Sequence, residues 1–241
     1  NYQKMYEIET DHWWFRSLHE LVISSLKNQN LDSLSILDAG CGTGRLMVQM
    51  QNLGKITGFD FREPALSYCQ KRQLKNVKKT DLNTWKPKEN EFDFIVSLDV
   101  ISDQGIKDDK LLLKKFYTSL KPGGKLILHM PAFPILKRSH DKAATIRKRY
   151  LKNGIVSIAN QIGFSNNQVE YRLSFAFPLF FLLRLYELVF RKHEKDRSDL
   201  YALPSFANNF LLRVSQLENF LICRGWSFPF GTSLFSILQK T

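Results

Sequence analysis

The chain has 241 residues, of which 44% are hydrophobic, enough to bury the core of one domain that carries an insertion. Its formal net charge of +12 is compatible with nucleic acid, an anionic membrane surface or an acidic small molecule as partner. The spacing of Cys41, Cys69 and Cys223 argues against a disulfide framework and a zinc site, and we predict no metal. This cysteine usage favours a reducing compartment, and we expect a cytoplasmic protein. No signal-peptide pattern opens the chain, although a start at Asn1 leaves room for an upstream piece.

The amino-terminal segment contains the run Asp11-His12-Trp13-Trp14-Phe15-Arg16, which precedes a predicted helix over Ser17–Lys27. Adjacent tryptophans lie on different sides of the element that carries them. One can therefore pack inward while the other contacts a ligand or partner. The alternative is that both simply anchor the helix to the core.

An apolar strand over Ser35–Ala39 leads into glycines at 40, 42 and 44, a predicted helix over Arg45–Asn52 and a second strand, Lys55–Phe59, before Asp60. Such a turn brings bare backbone close to a nucleotide-type ligand. The dinucleotide fingerprint needs a third glycine where Arg45 stands. The pattern therefore argues against a nicotinamide oxidoreductase.

Further apolar runs alternate with helical stretches, which indicates a parallel sheet covered on both faces. The later predicted strands are Phe94–Leu98, Lys125–Met130, Gln168–Phe175 and Thr232–Gln239. Asp38, Asp60, Asp81 and Asp99 all lie at predicted strand ends, and carboxyl ends of parallel strands share one sheet edge. A cationic, hydroxyl-rich ligand would compensate for gathering these carboxylates.

Residues 178–229 form a predicted helical segment before the last strand. Leu179–Phe190 is apolar almost all round and too short to span a bilayer. It is either buried under the segment or in a homodimer interface, or it lines a lipophilic substrate site, or it docks on a membrane surface. Ser205–Arg224 has the helical spacing of ordinary core packing.

The motifs along residues 30–131 occur in the order of one family. They are Asp38-Ala39-Gly40-Cys41-Gly42-Thr43-Gly44, Thr57-Gly58-Phe59-Asp60, Thr80-Asp81-Leu82, the strand and exit from Phe92 to Ile101, and Lys121-Pro122-Gly123-Gly124. The chain thus resembles the class I S-adenosylmethionine-dependent methyltransferases, in their small-molecule branch. The resemblance implies S-adenosylmethionine as cofactor and S-adenosylhomocysteine as product.

The resemblance also assigns site residues. It implies that Asp60 binds the ribose hydroxyls and that Asp81 and Leu82 bind the adenine. If the amino-terminal segment is a lid and not only an anchor, Arg16 binds the methionine carboxylate. The predicted cofactor-binding residues are Arg16, Asp38, Gly40, Cys41, Gly42, Gly44, Asp60, Phe61, Asp81, Leu82, Leu98 and Asp99.

The fold that the resemblance implies is α/β, a Rossmann-like doubly wound sheet of seven strands. The sheet is mostly parallel with an antiparallel last strand, and a helical insertion precedes that strand. The predicted organisation is a lid over residues 1–30, a cofactor-binding core over 31–175, a substrate-covering insertion over 176–230 and a closing strand over 231–241.

Methyl transfer needs a base only if the acceptor holds its proton tightly, and histidine has a suitable pKa for that role. We predict His140, His12 and Tyr150 as catalytic residues, since relatives keep a similar His-Asp and Arg-x-Arg-Tyr stretch near the acceptor. His140 paired with Asp141 on the surface is the alternative. His129, on a predicted buried strand, is either a base or a satisfied core residue. Ser102-Asp103 stands where many relatives have Glu-His.

We therefore predict an enzyme of class EC 2.1.1 that transfers a methyl group in line to a small, lipophilic acceptor. An anionic membrane surface is a further predicted partner, through the apolar and basic segments. The alternatives are a cofactor-binding or partner-binding protein without catalysis and a nucleic-acid methyltransferase. The second is disfavoured because no appended nucleic-acid module is recognisable.

Overall fold

The computed structural model describes residues 2–27, 34–190 and 203–241. The strands are β1 (Leu34–Ala39), β2 (Gly54–Asp60), β3 (Val77–Lys79), β4 (Phe92–Leu98), β5 (Leu120–Pro131), β6 (Phe164–Arg172) and β7 (Ser233–Lys240). The helices are α1 (Tyr2–Ile8), α2 (Trp13–Lys27), α3 (Arg45–Met50), α4 (Glu63–Lys71), α5 (Asp109–Ser119), α6 (Ser139–Ala143), α7 (Lys152–Ile162), α8 (Phe177–Phe190) and α9 (Ser205–Cys223).

The strands form one seven-stranded sheet in the order β3-β2-β1-β4-β5-β7-β6. The first five strands in this order are parallel, and β7 pairs antiparallel with both β5 and β6. The predicted doubly wound sheet with an antiparallel last strand is confirmed. The order reverses between β1 and β4, and open α/β sheets generally bind ligands at such a reversal, at the carboxyl ends of the strands.

Both faces of the sheet are buried. Leu37 and Ile95 pack with residues of α5 and α7, whereas Ile36 and Phe94, their chain neighbours, pack with residues of α2 and α3. Burial of successive residues on opposite faces explains why the central strands read as continuous apolar runs.

The four aspartates predicted at strand ends lie along the carboxyl edge. Asp38 lies in β1, Asp60 ends β2 and Asp99 directly follows β4. The third strand was predicted to reach Asp81, but β3 ends earlier, because Asp81 accepts a hydrogen bond from the Asn83 amide and begins a turn.

Helix α2 begins at Trp13, four residues before the predicted start. Asn208 of α9 explains the earlier start, since its side-chain oxygen accepts from the Trp13 amide at 2.9 Å and so caps α2. The two tryptophans diverge as predicted: Trp13 lies beside Phe175, and Trp14 lies against the ring of His129.

The strand predicted over Gln168–Phe175 is shifted towards the amino terminus as β6. Leu173 has a φ of 59°, in the left-handed region, and this turn ends the strand. A short 3-10 turn over Ser174–Ala176 then leads into α8.

Helix α8 contains no buried residue, and Leu182, Val189 and Phe190 are 61%, 70% and 71% exposed. The side chains of α8 are therefore not buried beneath the rest of the predicted insertion. Residues 191–202 of the predicted insertion, and the predicted boundary between residues 30 and 31, lie outside the described residues. None of the helices that the structure describes has the length and apolar character needed to cross a bilayer.

Candidate functional site

The loop between β1 and α3 offers bare backbone at the carboxyl edge. Gly40, Gly42 and Gly44 have φ values of 92°, 54° and 79°, a region that side chains disfavour. A Cβ on Gly40 would lie only 2.1 Å from Cγ2 of Val100, which follows β4. Close approach of the β4 exit therefore requires glycine at this position.

Hydrogen bonds fix this loop to the end of β2. The amides of Gly40 and Cys41 donate to the Phe59 carbonyl at 2.7 and 2.9 Å. The Gly42 amide donates to Oδ2 of Asp60 at 2.9 Å, and Oδ1 of Asp60 accepts from the Arg62 amide. Each carboxylate oxygen keeps a second lone pair with which to accept from a ligand hydroxyl.

Asp38 is a buried carboxylate next to Asp60. Burial, and then the charge of Asp60, raise the pKa of Asp38 to about 7. Burial likewise raises the pKa of Asp60, although the amides of Arg62 and Gly42 oppose that change. The described residues supply no hydrogen-bond donor to the Asp38 carboxylate, so the pair favours a cationic ligand.

The residues predicted for the adenine and methionine ends lie at or just after the ends of β2, β3 and β4. Phe61, directly after Asp60, is 60% exposed and offers a ring face, whereas Leu82 is buried. Asp81 accepts from both the amide and the side-chain nitrogen of Asn83. Leu98 is half-buried at the end of β4.

Helix α1 covers the glycine loop through contacts that the sequence analysis did not identify. The carboxylate of Glu9, just after α1, accepts from Oγ1 of Thr43 at 2.5 Å and from Nη2 of Arg72 at 2.6 Å. Glu9 is only 3% exposed. Glu9 and Arg72 are 63 positions apart, so no local pattern could have paired them.

Two further residues of α1 reach the loop. A Cβ on Gly42 would lie 2.9 Å from Cε of Met5. Burial and the Asp60 carboxylate raise the pKa of Tyr2 to about 12, so this tyrosine lies close to the predicted ribose-binding residue. The amino-terminal segment therefore lies over the loop, although through residues that precede the tryptophan run.

Asp99 and His129 form an acid-histidine pair. The Asp99 carboxylate oxygens lie 3.0 and 3.1 Å from Nδ1 of His129. His129 is 1% exposed, and its Nε2 has no hydrogen-bond partner among the described residues. The ring of Trp14 lies edge-on to His129, with centroids 5.6 Å apart. The β4–β5 register, which pairs Leu98 with His129, brings the two together.

The residues predicted to be catalytic are not gathered at this pair. Nδ1 of His12 accepts from the Trp14 amide at 3.3 Å. His140 is a half-buried residue of α6, and the carboxylate of its neighbour Asp141 accepts two hydrogen bonds from Arg149. Their catalytic roles stay predictions.

Tyr150 and Arg16 complete the predicted set. The buried Tyr150 hydroxyl donates to Asp109 or to the Ile101 carbonyl, at 2.8 and 3.0 Å, in the core on the α5 and α7 face. These are the contacts of a core residue, and its catalytic role also stays a prediction. Arg16 is half-buried in α2.

The Ser102-Asp103 departure has a structural explanation. Nη2 of Arg62 donates to both carboxylate oxygens of Asp103, at 3.1 and 3.0 Å. Asp103 thus connects the β4 exit to the end of β2. The described residues contain no group of three or more His, Cys, Asp or Glu side chains placed to hold a metal ion.

Comparisons with known proteins agree with this geometry. A family model described as a methyltransferase domain matches residues 36–124, which include the glycine loop, Asp60 and Asp99. Over these residues the chain is similar to a methyltransferase domain, which agrees with its resemblance to the class I S-adenosylmethionine-dependent methyltransferases. The residues present fit that cofactor, since a glycine cradle with no room for a Cβ adjoins two buried carboxylates suited to an ammonium group and a diol.

Two curated relatives match parts of this chain. Phosphoethanolamine N-methyltransferase 2 of Caenorhabditis elegans is 38% identical over 96 residues, 38% of this chain and 21% of that protein. Trans-aconitate 2-methyltransferase of Variovorax paradoxus is 27% identical over 104 residues, 42% of this chain and 39% of that protein. The matches thus span well under half of either relative.

Solved methyltransferase structures share the fold. Phosphoethanolamine N-methyltransferase 2 of Haemonchus contortus, in complex with phosphomonomethylethanolamine and S-adenosylhomocysteine, has a TM-score of 0.59 at 24% identity, over 92% of this chain and 52% of that one. An S-adenosylmethionine-dependent methyltransferase of Archaeoglobus fulgidus has a TM-score of 0.56 at 18% identity, over 92% and 94% of the two chains. At these identities the likeness shows the fold.

We expect Gly40→Ala to destabilise the protein by roughly 2 to 4 kcal/mol, since it combines a disfavoured positive φ with a clash against Val100. Gly123→Ala is the matched control, because Gly123 has a φ of 77° and a Cβ added there would meet no atom within 4 Å. Its expected cost is only about 1 to 2 kcal/mol. Urea unfolding measures both, and equal costs would contradict the proposed clash.

Proposed function

We propose that this chain is an S-adenosylmethionine-dependent methyltransferase that acts on a small-molecule acceptor. The observation that carries the proposal is the Asp60 carboxylate, which holds the Gly42 amide at the carboxyl edge and retains lone pairs for a diol. Asp60 and Phe61 would hold the nucleoside, with Asp81 and Leu82 at the adenine. Asp38, the glycine loop, Leu98 and Arg16 would hold the methionine end.

The acceptor class is supported by the relatives. Both curated relatives are named for small acceptors, phosphoethanolamine and trans-aconitate, and each of these carries anionic groups. The partly exposed apolar helix α8 leaves room for a lipophilic portion on the acceptor. We propose residues 1–30 as a lid and the segment from residue 176 to 230 as a substrate cover.

Bound S-adenosylmethionine supplies a methyl group that is already activated on a cationic sulfur. The protein then has to orient the acceptor and exclude water from the site. Because α1 and α2 cover the loop and the β4 exit, they would exclude water there. We propose His129 as a base for acceptors that must lose a proton, because Asp99 orients Nδ1 and leaves Nε2 available. His140, His12 and Tyr150 remain alternative candidates.

We expect Asp60→Asn to weaken S-adenosylhomocysteine binding roughly tenfold to several-hundredfold, since charge-assisted hydrogen bonds contribute about 1.5 to 3 kcal/mol each. Calorimetric titration provides the measurement. Glu63→Gln is the control, because the Glu63 side chain is 67% exposed and should leave affinity unchanged. Unaltered binding by Asp60→Asn would refute the assignment of the ribose site.

Cofactor binding is expected to release a proton from Asp38. Burial and Asp60 raise the pKa of Asp38 to about 7, so below that pH the carboxyl is largely protonated, and a bound cation favours its ionised form. Affinity for S-adenosylmethionine should therefore rise with pH, by up to tenfold per unit, between about pH 5.5 and 7. Calorimetry in buffers of different ionisation enthalpy measures the proton released.

Asp38→Asn is the control for this pH dependence. This variant lacks the titrating carboxyl, so its affinity should be lower and nearly independent of pH over the same range. A wild-type affinity that does not change over this range would contradict a role for Asp38 at the ammonium group.

Turnover distinguishes an enzyme from a binding protein. Incubation with labelled S-adenosylmethionine and a panel of small acceptors, phosphoethanolamine and trans-aconitate among them, should transfer label to at least one. Tight binding of the cofactor without transfer to any acceptor would favour the non-catalytic alternative.

We propose separately that α8 docks on an anionic membrane surface, supported by the exposed Leu182, Val189 and Phe190 and the net charge of +12. Wild-type protein should cosediment with phosphatidylglycerol vesicles, and Leu182→Ser with Val189→Ser should abolish this. Leu111→Ser, at an exposed leucine of α5, is the matched control. Absence of wild-type sedimentation would reject docking, and a concentration-dependent dimer that the double variant loses would favour a homodimer instead.

A further inference from the structure

A buried arginine lies at the end of β6, outside the proposed cofactor site. Arg172 has no exposed surface, and it is the largest of the fully buried side chains that the structure describes. Its Nε donates to Oδ1 of Asn219 at 3.1 Å, and its Nη2 donates to Oγ of Ser17 at 2.6 Å. Its Nη1 is buried without a hydrogen-bond partner among the described residues.

The partners that Arg172 has are neutral. Glu218 is nearby, but its oxygens accept from the amides of Leu173 and Ser174, at 2.8 and 2.7 Å. The charge of Asp99 influences Arg172 without a hydrogen bond between them, since the Asp99 carboxylate is within hydrogen-bond distance of Nδ1 of His129. A buried guanidinium without a hydrogen-bonded counter-ion is costly, and natural proteins usually pair such a charge.

Arg172 is also connected to the proposed base. Ser17, which accepts from the guanidinium, donates its own hydroxyl hydrogen to the Trp14 carbonyl at 3.2 Å. The Trp14 ring in turn lies against His129. One turn of α2 thus joins two buried side chains that each keep an unpartnered nitrogen.

The position of Arg172 in the sheet favours the acceptor over the cofactor. β6 lies four positions from β1, so at about 4.8 Å per strand its backbone is roughly 19 Å from the strand that carries the glycine loop. The proposed methionine end lies at β1 and β4. Arg172 reaches the same carboxyl edge from the opposite side of His129, where an acceptor would lie.

We propose that Arg172 binds the anionic group, a carboxylate or a phosphate, of a ligand that lies beneath α2 at the carboxyl edge of the sheet. The inference rests on the proposed function, because it takes this ligand to be the methyl acceptor. The methionine carboxylate of the cofactor is the other source of the same chemistry. Since Ser17 and Asn219 enclose Arg172, α2 or α9 has to move for the ligand to enter.

The test measures binding of phosphoethanolamine and of inorganic phosphate to the full chain in the presence of S-adenosylhomocysteine, by calorimetry and by thermal shift. Ethanolamine, which lacks the phosphate, and chloride at matched ionic strength are the ligand controls. The protein variants are Arg172→Met, which removes the charge, and Asn219→Asp, which supplies a carboxylate beside Nε and gives up the hydrogen bond from the Asn219 side-chain nitrogen to the Ser17 carbonyl. Asn219→Asp keeps the test usable if Arg172→Met does not fold.

The proposal predicts that wild-type protein binds phosphoethanolamine and phosphate but not ethanolamine. Both variants should weaken that binding tenfold or more, because charged hydrogen bonds are lost or satisfied internally. Affinity for S-adenosylhomocysteine should be unchanged, and a tenfold loss of that affinity with no phosphate effect would identify the cofactor carboxylate as the anion.

The inference is overturned if wild type binds S-adenosylhomocysteine, binds neither phosphate compound, and shows the same cofactor affinity as both variants. Arg172 would then be a structural tie between β6, α2 and α9. Failure of wild type to bind S-adenosylhomocysteine at all would instead refute the proposed function, so the two failures are distinguishable.

Discussion

The hydrogen bond from the Gly42 amide to the Asp60 carboxylate is the interaction on which the rest of the site depends. It joins the end of β2 to a loop whose glycines leave no side chain in the way, and two amides of the loop bind the Phe59 carbonyl beside it. Burial, and then the charge of this carboxylate, raise the pKa of Asp38 and of Tyr2, so Asp60 also influences the electrostatics of the loop and of the helix that covers it.

Several buried ionisable side chains lie near the carboxyl edge, and the charge of each is compensated in a different way. Glu9 is buried against Arg72, so its charge is paired within the protein. Asp38 is buried without such a partner, and its raised pKa favours the neutral carboxyl until a cation binds. Arg172 cannot neutralise in this way, since guanidinium stays protonated near neutral pH. Arg172 therefore stays charged where it is buried, and an anionic ligand would supply the hydrogen-bonded counter-ion that it lacks among the described residues.

The helices outside the core complete the site. α2 is capped by Asn208 of α9, and Asn219 of the same helix donates to the Ser17 carbonyl of α2 at 2.7 Å. α9 therefore positions Trp14 and Ser17, which in turn contact His129 and Arg172. α9 thus contributes to the proposed acceptor site through α2, whereas α8 contains no buried residue.

The sequence by itself determined the alternation of strands and helices, the glycine loop and the acidic ends of the strands. These follow from local rules: burial on both faces gives continuous apolar runs, and a loop that approaches a ligand needs glycine. Only the tertiary structure decided the pairs Asp99 with His129, Glu9 with Arg72, and Arg172 with Ser17 and Asn219. Each pair joins residues far apart in the chain, and strand register or helix docking, which no local pattern encodes, brings them together.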